Sequence, residues 1–399
     1  MKVLFETFGC RLNKAESLQM EAEYLADGWE LATCREEADL FVVRGCSVTA
    51  KAQADCEKFI DRLRQSFPTI PIRICGCLPN SEKTASPLPA PLPTRTARAY
   101  LKVQDGCSGR CTFCIVPKFR GPSRSIPFTD VLDTAKRFLD AGYRELVVTG
   151  CNLSLYASEG RRLPELMGAL AELNGDHRVR LGSLEPGSCA REVVQCMAEH
   201  ANVCRFLHLP IQSGSDRILA SMNRPYQAGD IIGLVGEASR LMPRLGLGCD
   251  LMTGFPGETD ADFAMTTELL EQLPFSNAHV FPYSERPDTP AAKFSGAVPV
   301  SVRNERAAEL SVLVKAKREA YARSFVGQTV EIVVEGRDKA IGWTGEYLKC
   351  EAAGTAPRKS LVRVRVIRAE PDRLYGEQAA ARTSEDDASS LKAKGQINR

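Results

Sequence analysis

Three closely spaced cysteines carry the clearest chemistry in this chain. Asp105-Gly106-Cys107-Ser108-Gly109-Arg110-Cys111-Thr112-Phe113-Cys114 is a C-x3-C-x2-C run. Three thiolates on one short loop can hold three irons of a [4Fe–4S] cluster. An electron-transfer cluster normally takes four cysteines, so here one iron is left open to a substrate or cofactor. The alternatives are a zinc site, for which the loop supplies no fourth Cys or His, and thiols that merely fill a core. The run follows a strand-like segment, and a loop at the carboxyl end of a strand is where β/α barrels place their chemistry.

A second set is dispersed. Cys10, Cys46 and Cys77 each follow a strand-like segment (residues 3–8, 39–44 and 70–75), and each is preceded by glycine, at Gly9, Gly45 and Gly76. In a parallel sheet the carboxyl ends of the strands share one edge, so cysteines distant in sequence can converge there. Glycine beside each would let the backbone approach a bulky ligand. The alternative is three unrelated buried thiols. Cys34, Cys56, Cys75, Cys151, Cys189, Cys196, Cys204, Cys249 and Cys350 stand singly and read as ordinary thiols. The four histidines are scattered, and His208 is expected to hydrogen-bond structurally rather than catalyse.

The elements that must position these residues follow from periodicity. A chain of 399 residues with 44% hydrophobic and 26% charged residues has room for two to three globular domains. Residues 1–80 alternate strand and helix and predict a small parallel α/β domain, with helices over 15–26 and 50–67. Residues 81–97 follow, with prolines at 87, 89, 91 and 93 that favour an extended linker and exclude a helix. Residues 98–325 resume the alternation, with strands expected at 99–104, 145–149, 179–184, 206–209, 246–252 and 278–282. Helices are expected at 129–141, 163–173, 191–200 and 259–272, which together suit a full or partial β/α barrel. A charged helix over 301–324 leads out. Residues 326–378 are rich in valine and short alternating runs and predict a small β-barrel. The polar tail, 379–399, is expected to be disordered.

The formal net charge of +2 excludes an overall field that draws nucleic acid, so any basic surface must be local. Apolar runs such as 40–43 fall far short of the roughly 20 residues that span a bilayer. No leader pattern opens the chain, and a cytoplasmic location is expected. Fifteen cysteines, an odd number, are too few for a disulfide scaffold of this length.

AYLKVQDGCSGRCTFCIVPKFRGPSRS (99–125) resembles the radical S-adenosylmethionine (SAM) superfamily and, within it, the methylthiotransferases. The resemblance continues through VVTGCNLS (147–154), LGSLEP (181–186), HLPIQSGSDRILASMNRPY (208–226) and LMTGFPGET (251–259). It implies that Cys107, Cys111 and Cys114 ligate a [4Fe–4S] cluster whose open iron chelates SAM, and that an electron from it yields a 5′-deoxyadenosyl radical. FGCRLNKAES, GCSVTAKA and CGCLPN look like the three motifs by which such enzymes bind an auxiliary [4Fe–4S] cluster, here through Cys10, Cys46 and Cys77. By the same resemblance SAM would be held by Phe113, Gly150, Asn152, Ser183, Glu185, Gln212 and Ser213. GFPGET (254–259) is equally read as a turn and helix cap at Thr259.

Two departures stand out. Cys46 is preceded by Arg44-Gly45, where the family usually has Asn and a small hydroxylated residue. The stretch from Cys77 to Cys107 is shorter than usual and holds the proline-rich segment in place of a strand and helix.

The C-terminal barrel resembles the RNA-binding TRAM module. Alternation in its strand puts Arg363 and Arg365 opposite Val362, Val364 and Val366. With Arg358, Lys359 and Arg368 these form a candidate phosphate-contacting patch; the alternative is a solvated strand face.

Within the family, FGCRLN and RGPSRS most resemble the branch acting on N6-threonylcarbamoyladenosine at position 37 of tRNA, rather than the branches acting on isopentenyladenosine-37 tRNA or ribosomal protein S12. The partners implied are tRNA and a reductant of flavodoxin or ferredoxin type. The rivals are a non-catalytic RNA-binding iron–sulfur protein and a radical enzyme whose second cluster only transfers electrons.

Overall fold

The structure is a computed structural model that describes residues 1–79, 81–82, 96–187 and 189–380. The four linker prolines and nearly all of the expected tail lie outside the described residues.

The chain begins with a doubly wound sheet. β1 (Lys2–Thr7), α1 (Arg11–Ala26), β2 (Glu30–Leu31), β3 (Leu40–Gly45), α2 (Ala50–Ser66) and β4 (Ile72–Gly76) form a parallel sheet in the order β2-β1-β3-β4. The period of two along β3 decides its packing. Phe41 and Val43 face Phe59, Ile60 and Leu63 of α2, and Val42 faces Met20 of α1. Thr49 caps α2 by accepting from the Ala52 amide at 3.1 Å.

The larger unit follows. β5 (Ala99–Lys102) leads to the clip formed by β6 (Gln104–Asp105), α3 (Val116–Arg120) and β7 (Arg124–Ser125), in which β6 and β7 pair antiparallel. Next come α4 (Phe128–Asp140), β8 (Glu145–Thr149), a short hairpin of β9 (Ala157–Ser158) and β10 (Arg161–Arg162), α5 (Leu163–Ala171), β11 (Arg178–Leu181) and α6 (Ala190–Glu199). The second half contains β12 (Phe206–Gln212), α7 (Asp216–Ser221), α8 (Ala228–Leu241), β13 (Gly246–Thr253), α9 (Asp260–Gln272) and β14 (Asn277–Pro282). The parallel groups β11-β8-β5 and β12-β13-β14 are joined by bridges from Val179 to Val203 and Ser183 to His208. The result is the expected six-stranded partial barrel, and one continuous apolar core fills it. Thr259 does cap α9: its Oγ1 accepts from the Asp262 amide at 3.3 Å, and the Asp262 carboxylate accepts from the Thr259 amide at 2.9 Å.

α10 (Val300–Arg323) leads to a closed barrel of β15 (Thr329–Val334), β16 (Ala340–Thr344), β17 (Lys349–Ala352), β18 (Leu361–Glu370) and β19 (Arg373–Gln378). Its seat against the larger unit is polar. Glu145 is fully buried, and although burial works against its charge, Arg178, Arg180 and Arg98 hold the carboxyl well below its usual range. Arg178 donates onward to the carbonyls of Glu331 (2.9 Å) and Trp343 (2.6 Å), and Arg180 to that of Thr344 (2.7 Å). Among the described residues no helix is long and apolar enough to cross a membrane.

Candidate functional site

The loop of Cys107, Cys111 and Cys114 is fixed by its own neighbourhood. The Cys107 amide donates to the Gly121 carbonyl at 3.0 Å and the Cys114 amide to that of Cys111 at 3.1 Å. Thr112 ties the loop to the end of α7, its amide donating to Met222 (3.1 Å) and its hydroxyl to Ser221 (2.9 Å). The Gly109 amide donates to Cys107 Sγ at 3.3 Å, and a Cβ at Gly109 would lie 3.2 Å from that sulfur and 3.9 Å from Cys111 Sγ. Burial pushes the Cys114 thiol up to about 12 and raises that of Cys111, and the neighbouring thiols add to the effect.

Arg224 works against that penalty. Its Nη1 lies 2.9 Å from Cys111 Sγ, and its other atoms meet Tyr226 Oη (2.8 Å), the Pro210 carbonyl (3.2 Å) and Glu185 Oε1 (3.1 Å). A fixed cation donating to a sulfur favours the thiolate, the form that binds iron. A donor set of three soft sulfurs, charge-compensated and with no fourth Cys or His in the loop, fits a [4Fe–4S] cluster with one iron left open.

The dispersed triad lies on one sheet edge, as the strand order requires. Cys10 directly precedes α1, Cys46 follows β3 and Cys77 follows β4. Cys46 and Cys77 are buried and Cys10 is exposed. Burial pushes Cys46 up to about 11, with the Cys10 and Cys77 thiols next among the groups that raise it. Arg120 Nε lies 3.0 Å from Cys77 Sγ. This is the same charge-compensated sulfur chemistry as in the loop, and it fits a second cluster.

The glycines before these cysteines have a reason within the chain itself. A Cβ at Gly9, where φ is +95°, would lie 2.7 Å from Cys46 Cβ. One at Gly76, where φ is +93°, would lie 2.6 Å from the Gly45 carbonyl oxygen, and one at Gly45 would strike Leu78. The space is consumed by the chain's own close approach and by left-handed backbone.

Arg120 joins the two regions. Besides Cys77 it donates to Asn13 Oδ1 (2.7 Å), to Glu16 Oε1 and Oε2 (3.0 Å each) and to Asp105 Oδ1 (3.0 Å). Asp105 is driven down to about 2: burial opposes its charge, but Lys102 and Arg120 outweigh it. Arg44, the departure before Cys46, is fully buried and pairs with Glu16 at 2.7 Å. The unusual residue is therefore absorbed into this interdomain ion-pair network.

The residues expected around SAM separate into groups. Asn152 Nδ2 donates to Glu185 Oε2 at 3.1 Å and approaches Cys107 Sγ at 3.9 Å. Ser183 Oγ and His208 Nδ1 are 3.0 Å apart. Gln212 sits at a strand irregularity with φ +67°, and its Oε1 is buried without a hydrogen bond, an acceptor suited to a polar ligand. Phe113 packs edge-on to Phe255, with ring centroids 6.5 Å apart. Ser213 departs from expectation: its buried hydroxyl faces Thr266 Oγ1 (3.3 Å) and the Ser215 amide (3.2 Å), a role internal to the turn.

A cavity of ≈ 320 Å³ opens between Cys10, Arg11 and Leu12 on one side and the barrel on the other, where Gly150 and Ser183 follow strands and His208, Asp250 and His279 lie within β12, β13 and β14. Tyr347 of the C-terminal barrel completes it. His208 forms the expected structural hydrogen bond and also faces this cavity. Sequence reasoning did not single out Arg11, Arg120, Arg224, Asp250, His279 or Tyr347. Arg11, Arg120 and Arg224 lie in the motifs FGCRLN, RGPSRS and SMNRPY, but spacing carries no signal that two of them meet sulfur.

On the C-terminal barrel, Val364 and Val366 are buried and Arg365 is exposed, as alternation requires. Arg363 Nη1 donates to the Ala380 carbonyl at 3.3 Å. Lys359 Nζ lies 3.5 Å from the centre of the Tyr143 ring, against the larger unit. Arg358 donates to the Glu335 carbonyl, and Arg368 pairs with Glu370 after a register shift in β18. The five basic residues thus do not form one open face.

The radical SAM superfamily matches residues 101–270, and the uncharacterized protein family UPF0004 matches residues 2–88. A tRNA-2-methylthio-N(6)-dimethylallyladenosine synthase of Cereibacter sphaeroides is 31% identical over 432 residues, covering 95% of this chain and 99% of the relative. The threonylcarbamoyladenosine tRNA methylthiotransferase MtaB of Thermotoga maritima is 31% identical over 397 residues, covering 88% and 91%. Among solved structures, the radical SAM methyltransferase TsrM of Kitasatospora setae shares the fold, with a TM-score of 0.52 at 13% identity over 73% of this chain and 77% of that one.

Proposed function

We propose that this chain, which belongs to the radical SAM methylthiotransferase family, methylthiolates C2 of N6-threonylcarbamoyladenosine at position 37 of tRNA. As a radical SAM enzyme it uses a [4Fe–4S] cluster and SAM. Our reading assigns that cluster to Cys107, Cys111 and Cys114, and a second, sulfur-delivering cluster to Cys10, Cys46 and Cys77. The observation that carries it is the cavity shared by Cys10 and barrel residues Gly150, Ser183, His208, Asp250 and His279, with Asn152 reaching from beside Gly150 toward Cys107.

When bound, the clusters and SAM supply the electron, the radical precursor, the sulfur and the methyl group. The chain's own residues position and exclude. Arg224 and Arg120 each place a fixed cation against a ligand sulfur. Asn152, Glu185, Ser183, Gly150 and Gln212 offer the polar contacts for SAM, and Phe113 an apolar wall beside them. Sequence-specific RNA recognition favours single-stranded loops whose bases can be splayed out, and an anticodon loop offers such a base to the cavity. Arg363 and Arg365 on the C-terminal barrel are the residues assigned to its flanking phosphates. The electron comes from a reductant protein of flavodoxin or ferredoxin type.

The substrate branch rests on FGCRLN and RGPSRS, since relatives of both tRNA branches are equally similar in identity. The test offers reconstituted enzyme threonylcarbamoyl-tRNA, isopentenyl-tRNA and ribosomal protein S12, with products read by mass spectrometry. Methylthiolation of the first is expected. Product on isopentenyl-tRNA alone would move the chain to the neighbouring branch, and product on S12 alone would overturn the tRNA reading.

A further inference from the structure

One wall of the cavity beside Cys10 carries a charge with no hydrogen-bonded partner among the described residues. Arg11 lines this space, and its guanidinium has no hydrogen-bond or ion-pair partner among the described residues. It rests instead over the Tyr347 ring, 4.9 Å from the centroid. Tyr347 stacks on Phe206 at 4.7 Å and on Trp343 at 4.6 Å, so the platform is rigid. Tyr347 also holds φ at +67°, an uncommon backbone state for a bulky residue, in the turn between β16 and β17. Three separate parts of the fold (α1, β12 and the C-terminal barrel) thus combine to aim one cation into the cavity.

Facing Arg11 are His208, Asp250 and His279. His208 Nε2 is buried, lies 3.4 Å from Asp250 Oδ1, and makes no hydrogen bond. The two imidazole rings are 5.7 Å apart. Burial, with His279 and Arg11 adding to it, drives His208 down to about 3, so it stands neutral at physiological pH; burial and Arg11 also lower His279. Burial raises Asp250 to about 6, against the pull of Arg11 and Arg224. Among the residues lining the cavity, Arg11 is therefore the full positive charge, set among neutral donors and acceptors and one carboxylate.

This chemistry discriminates between adenosine substituents. A dimethylallyl group is a hydrocarbon and would bury a guanidinium and two imidazoles without partners, which is costly. A threonylcarbamoyl group brings a free carboxylate, a hydroxyl and urea N–H groups. We infer that Arg11, on its Tyr347 platform, is the residue that binds the substituent's carboxylate and so selects an anionic adenosine modification, with His208, Asp250 and His279 meeting its hydroxyl and urea groups. A guanidinium can donate to both oxygens of a carboxylate in a bidentate pair, which fixes orientation as well as affinity. The inference rests on the threonylcarbamoyladenosine reading above and adds to it the residue and the charge that read the substituent.

The test uses full-length reconstituted enzyme and one tRNA in two forms, carrying threonylcarbamoyladenosine or the same nucleoside with its carboxylate converted to the methylamide. Wild type is expected to bind the anionic form about tenfold more tightly. Arg11→Gln should lose that preference, and Arg11→Lys should keep part of it. Iron content is measured in each variant because Arg11 adjoins Cys10. Should Arg11→Gln lose iron, Tyr347→Leu, which lies in another domain, carries the test with an expected loss of at least about threefold in preference. Unaltered preference in iron-replete Arg11→Gln, or in Tyr347→Leu where that variant carries the test, overturns the role of Arg11 and leaves the substrate reading standing. A wild type that methylthiolates threonylcarbamoyl-tRNA but binds both forms equally overturns carboxylate recognition alone. A wild type that turns over only isopentenyl-tRNA overturns both.

Discussion

The molecule assembles two cysteine triads by opposite means. Cys107, Cys111 and Cys114 share one loop, and hydrogen bonds within a few residues, together with the α7 anchor at Thr112, set their positions. Cys10, Cys46 and Cys77 come from three strand ends, and the order β1-β3-β4 brings them together. The local triad depends on its loop; the dispersed one depends on a whole domain. Each nonetheless takes a guanidinium on one sulfur from outside its own segment, Arg224 on Cys111 and Arg120 on Cys77. Arg120 belongs to α3, directly after the loop of Cys107, Cys111 and Cys114, so the local triad's scaffold also contacts the dispersed one.

The largest effect expected is at the local triad. On the proposed assignment, replacing Cys107, Cys111 or Cys114 by Ala removes one of three protein ligands, and reductive SAM cleavage should fall to background. The measurement is 5′-deoxyadenosine release after anaerobic reconstitution; wild-type release by any of the three variants would end the assignment of this loop.

The dispersed triad should respond differently. Cys10, Cys46 and Cys77 changed together to Ala should lower iron content by about half if each triad holds one four-iron cluster. Some SAM cleavage should persist while methylthiolated product disappears. Iron content equal to wild type would reduce these residues to ordinary thiols.

The smallest effect sharpens the link between the two. Arg120→Ala leaves Glu16 and Asp105 short of a buried partner, although Arg44 and Lys102 still serve them. Breaking a buried ion pair from one side costs about 3–5 kcal/mol, and the remaining cations place this case near the low end, about 3 kcal/mol. Urea unfolding should show the loss as a lower midpoint; a midpoint unchanged from wild type would mean that the triads are not coupled through Arg120.

Local pattern made much of the fold legible. The β-branched run at Glu145–Thr149 gave a strand whose ends the structure reproduces, and the cap at Thr259 was readable from its side chain. Helix α8 (Ala228–Leu241) was not among the expected elements. Gly229, Gly233 and Gly236 lower its intrinsic propensity, and it forms because Ile231, Leu234, Val235 and Ala238 bury against the barrel. Helix α1 begins at Arg11, four residues before the expected start at 15: the Cys10 carbonyl accepts from the Lys14 amide at 3.1 Å, and Asn13 Nδ2 donates to the carbonyls of Phe8 and Gly45 at 2.7 and 2.9 Å. Ser213 could not be separated from Gln212 by sequence, since only the chain's path turns one inward to Thr266 and leaves the other's oxygen without a partner.

By itself the sequence determined which residues can ligate iron and which segments alternate as strand and helix, because thiol chemistry and side-chain periodicity are local properties. Tertiary structure decided which charges meet which sulfurs. Arg120 reaches Cys77, Arg224 reaches Cys111 and Tyr347 reaches Arg11 across 43, 113 and more than 300 residues of chain. Such contacts are set by how three separately cored units dock, and the docking is made largely of buried ion pairs and side-chain-to-carbonyl hydrogen bonds. Their geometry depends on distance and burial in three dimensions, and those quantities leave no period in the order of residues.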